Sequence, residues 1–255
     1  MHFISWLVCI ALLPTSMALS DPKAPSIKLS VWELPEGSST AARGAGGIAF
    51  TSSDVPDMAM YLWVYEWNMF DAIKRGQHTQ GTLLREKRLS ADQTRALVAS
   101  PDLKITFRAR DDGADMRLVV TNNSDHDWPA IAGIIPCFNP GPAASRNRQF
   151  VDEKHTRTCF LSADGLQLLA QREIHFNEKL RRLIDRESPS GNFVFSSKWP
   201  TSSTNTKAGI LIRESADGQW VTGIAWQDFL SVQGHNPWDC MHVCVRVGPL
   251  KRGST

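Results

Sequence analysis

Residues 103–121 contain Leu103-Lys-Ile-Thr-Phe-Arg-Ala109, then Asp111-Asp112-Gly113, then Met116-Arg-Leu-Val-Val-Thr121. In the first run Leu103, Ile105, Phe107 and Ala109 alternate with Lys104, Thr106 and Arg108. That period of two is the mark of a strand with one buried face. Asp-Asp-Gly supplies the turn, and the β-branched return completes a hairpin. Further along, Ser162-Ala-Asp-Gly165, Ser188-Pro-Ser-Gly-Asn192 and Ser215-Ala-Asp-Gly218 punctuate short segments in the same way. A first strand is expected at Ile27–Glu33, and another from Cys240 to Val247. Helical periodicity is confined to Asn177–Glu187 (NEKLRRLIDRE) and, more weakly, Ala91–Ala99. Many strands and few short helices predict a mainly β protein, an antiparallel β-sandwich.

The chain has 255 residues and opens MHFISWLVCIALLPTSMALS. Its apolar run is shorter than the roughly 20 residues that cross a bilayer, and small residues follow it. Residues 1–20 are therefore expected to be a signal peptide and 21–255 a single domain, secreted or periplasmic, with no membrane span in the mature chain. Twenty-eight basic and 26 acidic residues are interspersed without a basic stripe, which argues against nucleic acid as a partner.

Cys137, Cys159, Cys240 and Cys244 remain after the leader. Residues four apart on a strand lie about 13 Å apart, beyond the roughly 7 Å that a disulfide spans, so Cys240 does not bridge Cys244. Cys137 and Cys159 flank a polar loop and are the expected pair, against the alternative of four thiols.

Nine Trp stand against two Tyr. Tyr61, Trp63, Tyr65 and Trp67 fall at spacing two and would share one strand face, with Glu66 on the other. Such a ladder is either a strand covered on both faces or an aromatic platform for sugars. The polar loop Asn139–Phe150 carries Arg146 and Arg148, and a loop of that length is often functional.

Residues Leu118–Asn139 include Thr121-Asn-Asn-Ser124 and Gly133-Ile-Ile-Pro-Cys-Phe-Asn139. This run resembles the mid-domain signature of the galactose-mutarotase-like supersandwich, in which a Gly precedes a His-Pro-x-Phe-Asn element. Val232-Gln-Gly-His-Asn-Pro-Trp-Asp239 is similar to that family's closing Glu-x-Gln-x-x-Pro-Asp pattern. The resemblance implies a two-layered sandwich with a carbohydrate groove on one sheet. In the family a histidine and a glutamate form an acid–base pair across one sugar. Here those positions hold Ile135 and Gln233, and neither side chain exchanges a proton near neutral pH. Epimerisation by that pair is thus argued against.

The stretch Gln233-Gly-His-Asn-Pro-Trp-Asp-Cys-Met-His242 concentrates the candidate chemistry. Gln233, Asn236 and Trp238 combine polar groups with an apolar face, as a sugar pocket requires. Trp63, His78 and Arg146 are further candidates for substrate contacts. His235, with Asp239 and His242, is the candidate acid–base set for the rival reading, an epimerase-like or lyase-like enzyme. A structural cell-surface module is the third. His-x4-Cys-x-His-x-Cys matches no zinc spacing, although Cys240, His242 and Cys244 would share a strand face, and no metal or cofactor is assigned. No Gly-x-Ser-x-Gly elbow supports a serine hydrolase. The expected function is carbohydrate recognition or processing.

Overall fold

The computed structural model describes residues 25–33, 46–54, 59–68, 86–140, 148–152, 154–169, 173–187, 200–235 and 240–255, with the backbone alone at 33, 46, 63–68, 148 and 235. Residues 1–20, His78, Arg146, Asn236, Trp238 and Asp239 lie outside the described residues.

The protein is a mainly β, antiparallel sandwich. A seven-stranded sheet has the order β1 (Ile27–Glu33), β2 (Gly46–Ser52), β3 (Ala59–Asn68), β8 (Gly133–Asn139), β15 (Cys240–Arg246), β14 (Phe229–His235), β11 (Ile174–Phe176). One four-stranded sheet runs β4 (Glu86–Leu89), β5 (Arg95–Ala99), β6 (Leu103–Ala109), β7 (Ala114–Val120). The other runs β10 (Gly165–Leu168), β9 (Thr158–Ser162), β12 (Gly209–Glu214), β13 (Val221–Trp226).

Both small sheets lie on the same face of the large one. Leu29, Ile48, Leu62, Phe138, Met241 and Val243 from the large sheet meet Val98, Ile105 and Phe107 from one small sheet and Phe160 and Leu211 from the other in a single core. The opposite face carries a smaller cluster of Ile131, Ile135, Ile174, Phe176, Leu230 and Cys244, closed by Ile184 of α1 (Arg181–Glu187). Covered on both faces, β8 and β15 are buried almost throughout and read as near-continuous apolar runs.

Local chemistry accounts for several element ends. β6 and β7 pair from Leu103↔Val120 to Ala109↔Ala114, as the alternation predicts. The expected helix begins as a 3-10 turn, Glu178–Leu180, where Asn177 Oδ1 accepts from Lys179 N at 3.0 Å, and continues into α1. Gly165 and Gly218 take φ of +103° and +68° at their Ala-Asp-Gly turns, where a Cβ would be strained.

Three expectations are corrected. Ala91–Ala99 is a turn and a strand, not a helix: the Asp92 carboxylate accepts from Ser90 Oγ, Thr94 N and Thr94 Oγ1, and Gln93 has φ of 60°. Beyond that turn Ala96 and Val98 alternate into the core. Cys137 and Cys159 form no disulfide. Cys137 belongs to the large sheet on the side away from the small sheets, whereas Cys159 lies between the inward-facing Thr158 and Phe160 of β9 and points out of the sandwich.

The spacing-two ladder of β3 is also interrupted. Trp63 pairs with Cys137 but Glu66 pairs with Ile135, so β3 carries one extra residue there. The extra residue falls opposite Pro136, which has no N–H to give to the ladder. After the bulge Glu66, rather than Tyr65 or Trp67, takes the register parity of Trp63.

Candidate functional site

The strand registers place the predicted residues in relation to one another. One row of Cα partners crosses the seven-stranded sheet: Trp32, Gly47, Trp63, Cys137, His242, Gln233, Ile174. Directly opposed residues on an antiparallel ladder share a face, here the face away from the small sheets. Trp63, Gln233 and His242, chosen from sequence for three different reasons, therefore belong to one row. His235 pairs with Cys240 two residues along. Ile135 has the same parity as Cys137, so the two positions of the sequence resemblance, Ile135 and Gln233, lie on one face with β15 between them.

Gln233 and His242 are 2% and 0% exposed, and Gln233 Oε1 has no hydrogen-bond partner among the described residues. Neither reaches solvent. What the row brings together is a buried group of donors, in which one ligand atom each of Cys137, Cys240 and His242 lie within 4.8 Å of one another.

On the other face, Gly234 is packed against the ring of His155: a Cβ on it would meet His155 Cδ2 and Cε1 at 2.7 Å. His155 belongs to a buried polar network. Arg213, 0% exposed, donates from Nε to Thr158 Oγ1 at 2.8 Å and from Nη1 to Phe150 O at 2.9 Å, and its Nη2 lies 3.1 Å from His155 Nδ1. A guanidinium only donates, so His155 Nδ1 is the acceptor and this nitrogen carries no proton. Thr158 Oγ1 passes its own proton towards Asp152 Oδ2 at 2.9 Å. Burial works against the Asp152 carboxylate, but hydrogen bonds from Arg157 N, Thr156 and Thr158 outweigh it and hold the carboxyl below its ordinary range.

His175 sits between β11 and the small sheet, its ring 4.0 Å from that of Phe160 and its Nδ1 donating to Thr204 O at 2.9 Å. Burial keeps it neutral, lowering its pKa from 6.5. The unfolded chain binds that proton more readily than the folded one. Stability should therefore be independent of this group above pH 6.5 and fall as pH drops from there towards the depressed folded value. Asp152 acts in the same direction only below 3.8, so a loss that begins between 6.5 and 3.8 belongs to His175 and not to Asp152. Urea midpoints measured across pH should fall less below pH 6.5 in His175→Leu than in the wild type; an unchanged pH dependence would contradict this assignment.

A wide open cleft among the described residues has no counterpart in the sequence reading. Where the two small sheets diverge, a cleft of about 1350 Å³ opens over the middle of the large sheet. Phe50, Met60, Leu62 and Phe138 form its floor and Phe107 and Met116 one wall. Trp220, Thr222, Ile224 and Trp226 of β13 and its preceding turn form the other. Trp220 is 43% exposed. Asp54, Asp111, Asp112, Asp115 and Asp228, all exposed, stand around its lining. Asp115 is engaged by Arg110 and Asp228 lies 3.8 Å from Arg246. The sequence signal for it is Trp220-Val-Thr-Gly-Ile-Ala-Trp226, with a tryptophan at each end of a strand, together with the acidic hairpin Asp111-Asp112-Gly113.

Among the described residues no helix is long and apolar enough to cross a membrane. Set against protein-family models, curated proteins and solved structures, the chain matches none.

Proposed function

We propose that the protein is an exported carbohydrate-binding sandwich whose ligand lies in the cleft between the two small sheets. The observation that carries this reading is the cleft itself: an apolar floor, the exposed face of Trp220 and a rim of acceptors. A pyranose presents an apolar face that stacks on an aromatic ring and hydroxyls that need acceptors. Ionised aspartates only accept, so sugar hydroxyls are suited to donate to Asp111, Asp112 and Asp228. Five exposed carboxylates, set against the two arginines that face Asp115 and Asp228, leave the rim net negative, which favours neutral glycans over uronates or sulfated chains. The likeness of residues 118–139 and 232–239 to the mutarotase-like sandwiches points to the same ligand class, although the cleft lies on the other face of the large sheet from Ile135 and Gln233.

A panel of neutral and acidic oligosaccharides, screened by thermal shift, tests the reading, because a ligand that binds only the folded state raises the melting temperature. Neutral glycans should raise it. Trp220→Ala should then weaken binding by about 1 kcal/mol, roughly fivefold, the scale of one lost aromatic contact. A panel without a stabilising glycan would refute the function, and an unaltered affinity in Trp220→Ala would refute its location.

A further inference from the structure

We infer that Cys137, Cys240 and His242 form a buried zinc(II) site, with the Gln233 carbonyl oxygen as fourth donor. β15 puts Cys240 and His242 on one face because they are two residues apart. β8 brings Cys137 directly opposite His242, and β14 brings Gln233 to its other side. The sequence spacing alone hid this, since one ligand comes from a strand about a hundred residues earlier and is supplied by register.

The geometry fits. Zinc holds sulfur and nitrogen about 2.0–2.3 Å away, so tetrahedral donors stand about 3.5–3.8 Å from each other. Donor atoms of Cys137, Cys240 and His242 already lie within 4.8 Å of one another, and movements on the order of 1 Å close them on a cation. An independent observation identifies the fourth position. Gln233 is 2% exposed and its Oε1 is buried with no hydrogen-bond partner among the described residues, a state that a cation relieves.

Charge selects the metal. Two thiolates balance one divalent cation, and neutral imidazole and amide add none, so the filled site is neutral where the side chains are 0–3% exposed. Copper(I) would leave a buried negative charge. Hard cations such as calcium and magnesium need more oxygen donors than one amide supplies. Binding displaces one proton from each thiol, releasing two protons per zinc bound. A Cys137–Cys240 disulfide is the competing fate, but the two are diagonal on the ladder, where Cα atoms lie about 7–8 Å apart, beyond the usual span of about 4.4–6.8 Å.

The purified protein, stripped of metal under reducing conditions and titrated with zinc(II) and with cobalt(II), tests the site. Zinc is expected to bind with one ion per chain, releasing protons. Cobalt(II) should show thiolate-to-metal charge transfer and the intense visible bands of tetrahedral coordination. Cys240→Ser should lose the charge-transfer intensity in part and His242→Ala should alter the visible bands, whereas Cys159→Ser, at an outward-facing thiol, should change neither. Should Cys240→Ser fail to fold, the wild-type cobalt spectrum still decides. Absence of that spectrum, equal loss in Cys159→Ser, or a Cys137–Cys240 disulfide in protein isolated without reductant would overturn the assignment. The outcome is independent of glycan binding, which concerns the opposite face.

Discussion

Replacing Arg213 by alanine should destabilise the protein by about 3–5 kcal/mol, the scale of breaking a buried charge network from one side. The side chain is fully enclosed and spreads its donors over three directions: Thr158 Oγ1, Phe150 O and His155 Nδ1. Its removal leaves a carbonyl and an imidazole nitrogen short of a donor, weakens the compensation of Asp152, 3.9 Å away, and opens a cavity. Arg213→Lys keeps the charge but has no planar fork to serve three acceptors, so it should recover little of the loss. Urea denaturation of both variants measures this. A loss under about 1 kcal/mol in Arg213→Ala would mean that the network contributes little net stability.

A comparable effect is expected from a single methyl group. In Gly209→Ala the added Cβ would press on the carbonyl oxygen of Trp226 and lie 2.6 and 2.7 Å from two atoms of the Phe229 ring. The carbonyl belongs to the partner of Gly209 on the β12–β13 ladder, so it moves only if the strands separate. Phe229 is 4% exposed and has no room to retreat. The expected cost is about 3 kcal/mol, at the upper end of ordinary overpacking. Gly113→Ala is the control, with nothing within 4 Å of its Cβ, and it should change the denaturation midpoint little. Equal midpoints for the two variants would contradict the packing described here.

The parts of this fold that were legible in sequence are those settled by local periodicity. β1, β6 and the 177–187 helical segment fall where alternation or the 3.6-residue period puts them. On β15 His242 shares a face with Cys240, as their spacing of two predicts, while Met241, Val243 and Val245 enter the main core. β5 was misread because Ala91 to Ala99 contains good helix formers, and the Asp92-centred turn that ends any helix there depends on side-chain hydrogen bonds. The bulge in β3 had its cause in plain view at Pro136, but that proline acts on a strand some seventy residues earlier, and nothing local indicates which strand it faces.

The same limit applies to the sites. Cys137 meets His242 through register, and the cleft exists because two separate small sheets lie on one face without touching along their whole length. Neither property is periodic, so neither leaves a trace in a window of sequence. Gln233 and His242 are chemically conspicuous in sequence, yet their burial, which turns them from groove residues into candidates for a metal centre, is a tertiary property that no local window carries.

The central claim is that sugar binds between the small sheets. The most direct test is a crystal structure of the protein grown with the tightest-binding oligosaccharide from the glycan panel. The account predicts a sugar ring stacked on Trp220, with hydroxyls donating to the aspartates of the rim. A sugar seated on the opposite face, against the row from Trp63 to Gln233, or an empty cleft at saturating ligand, would contradict it.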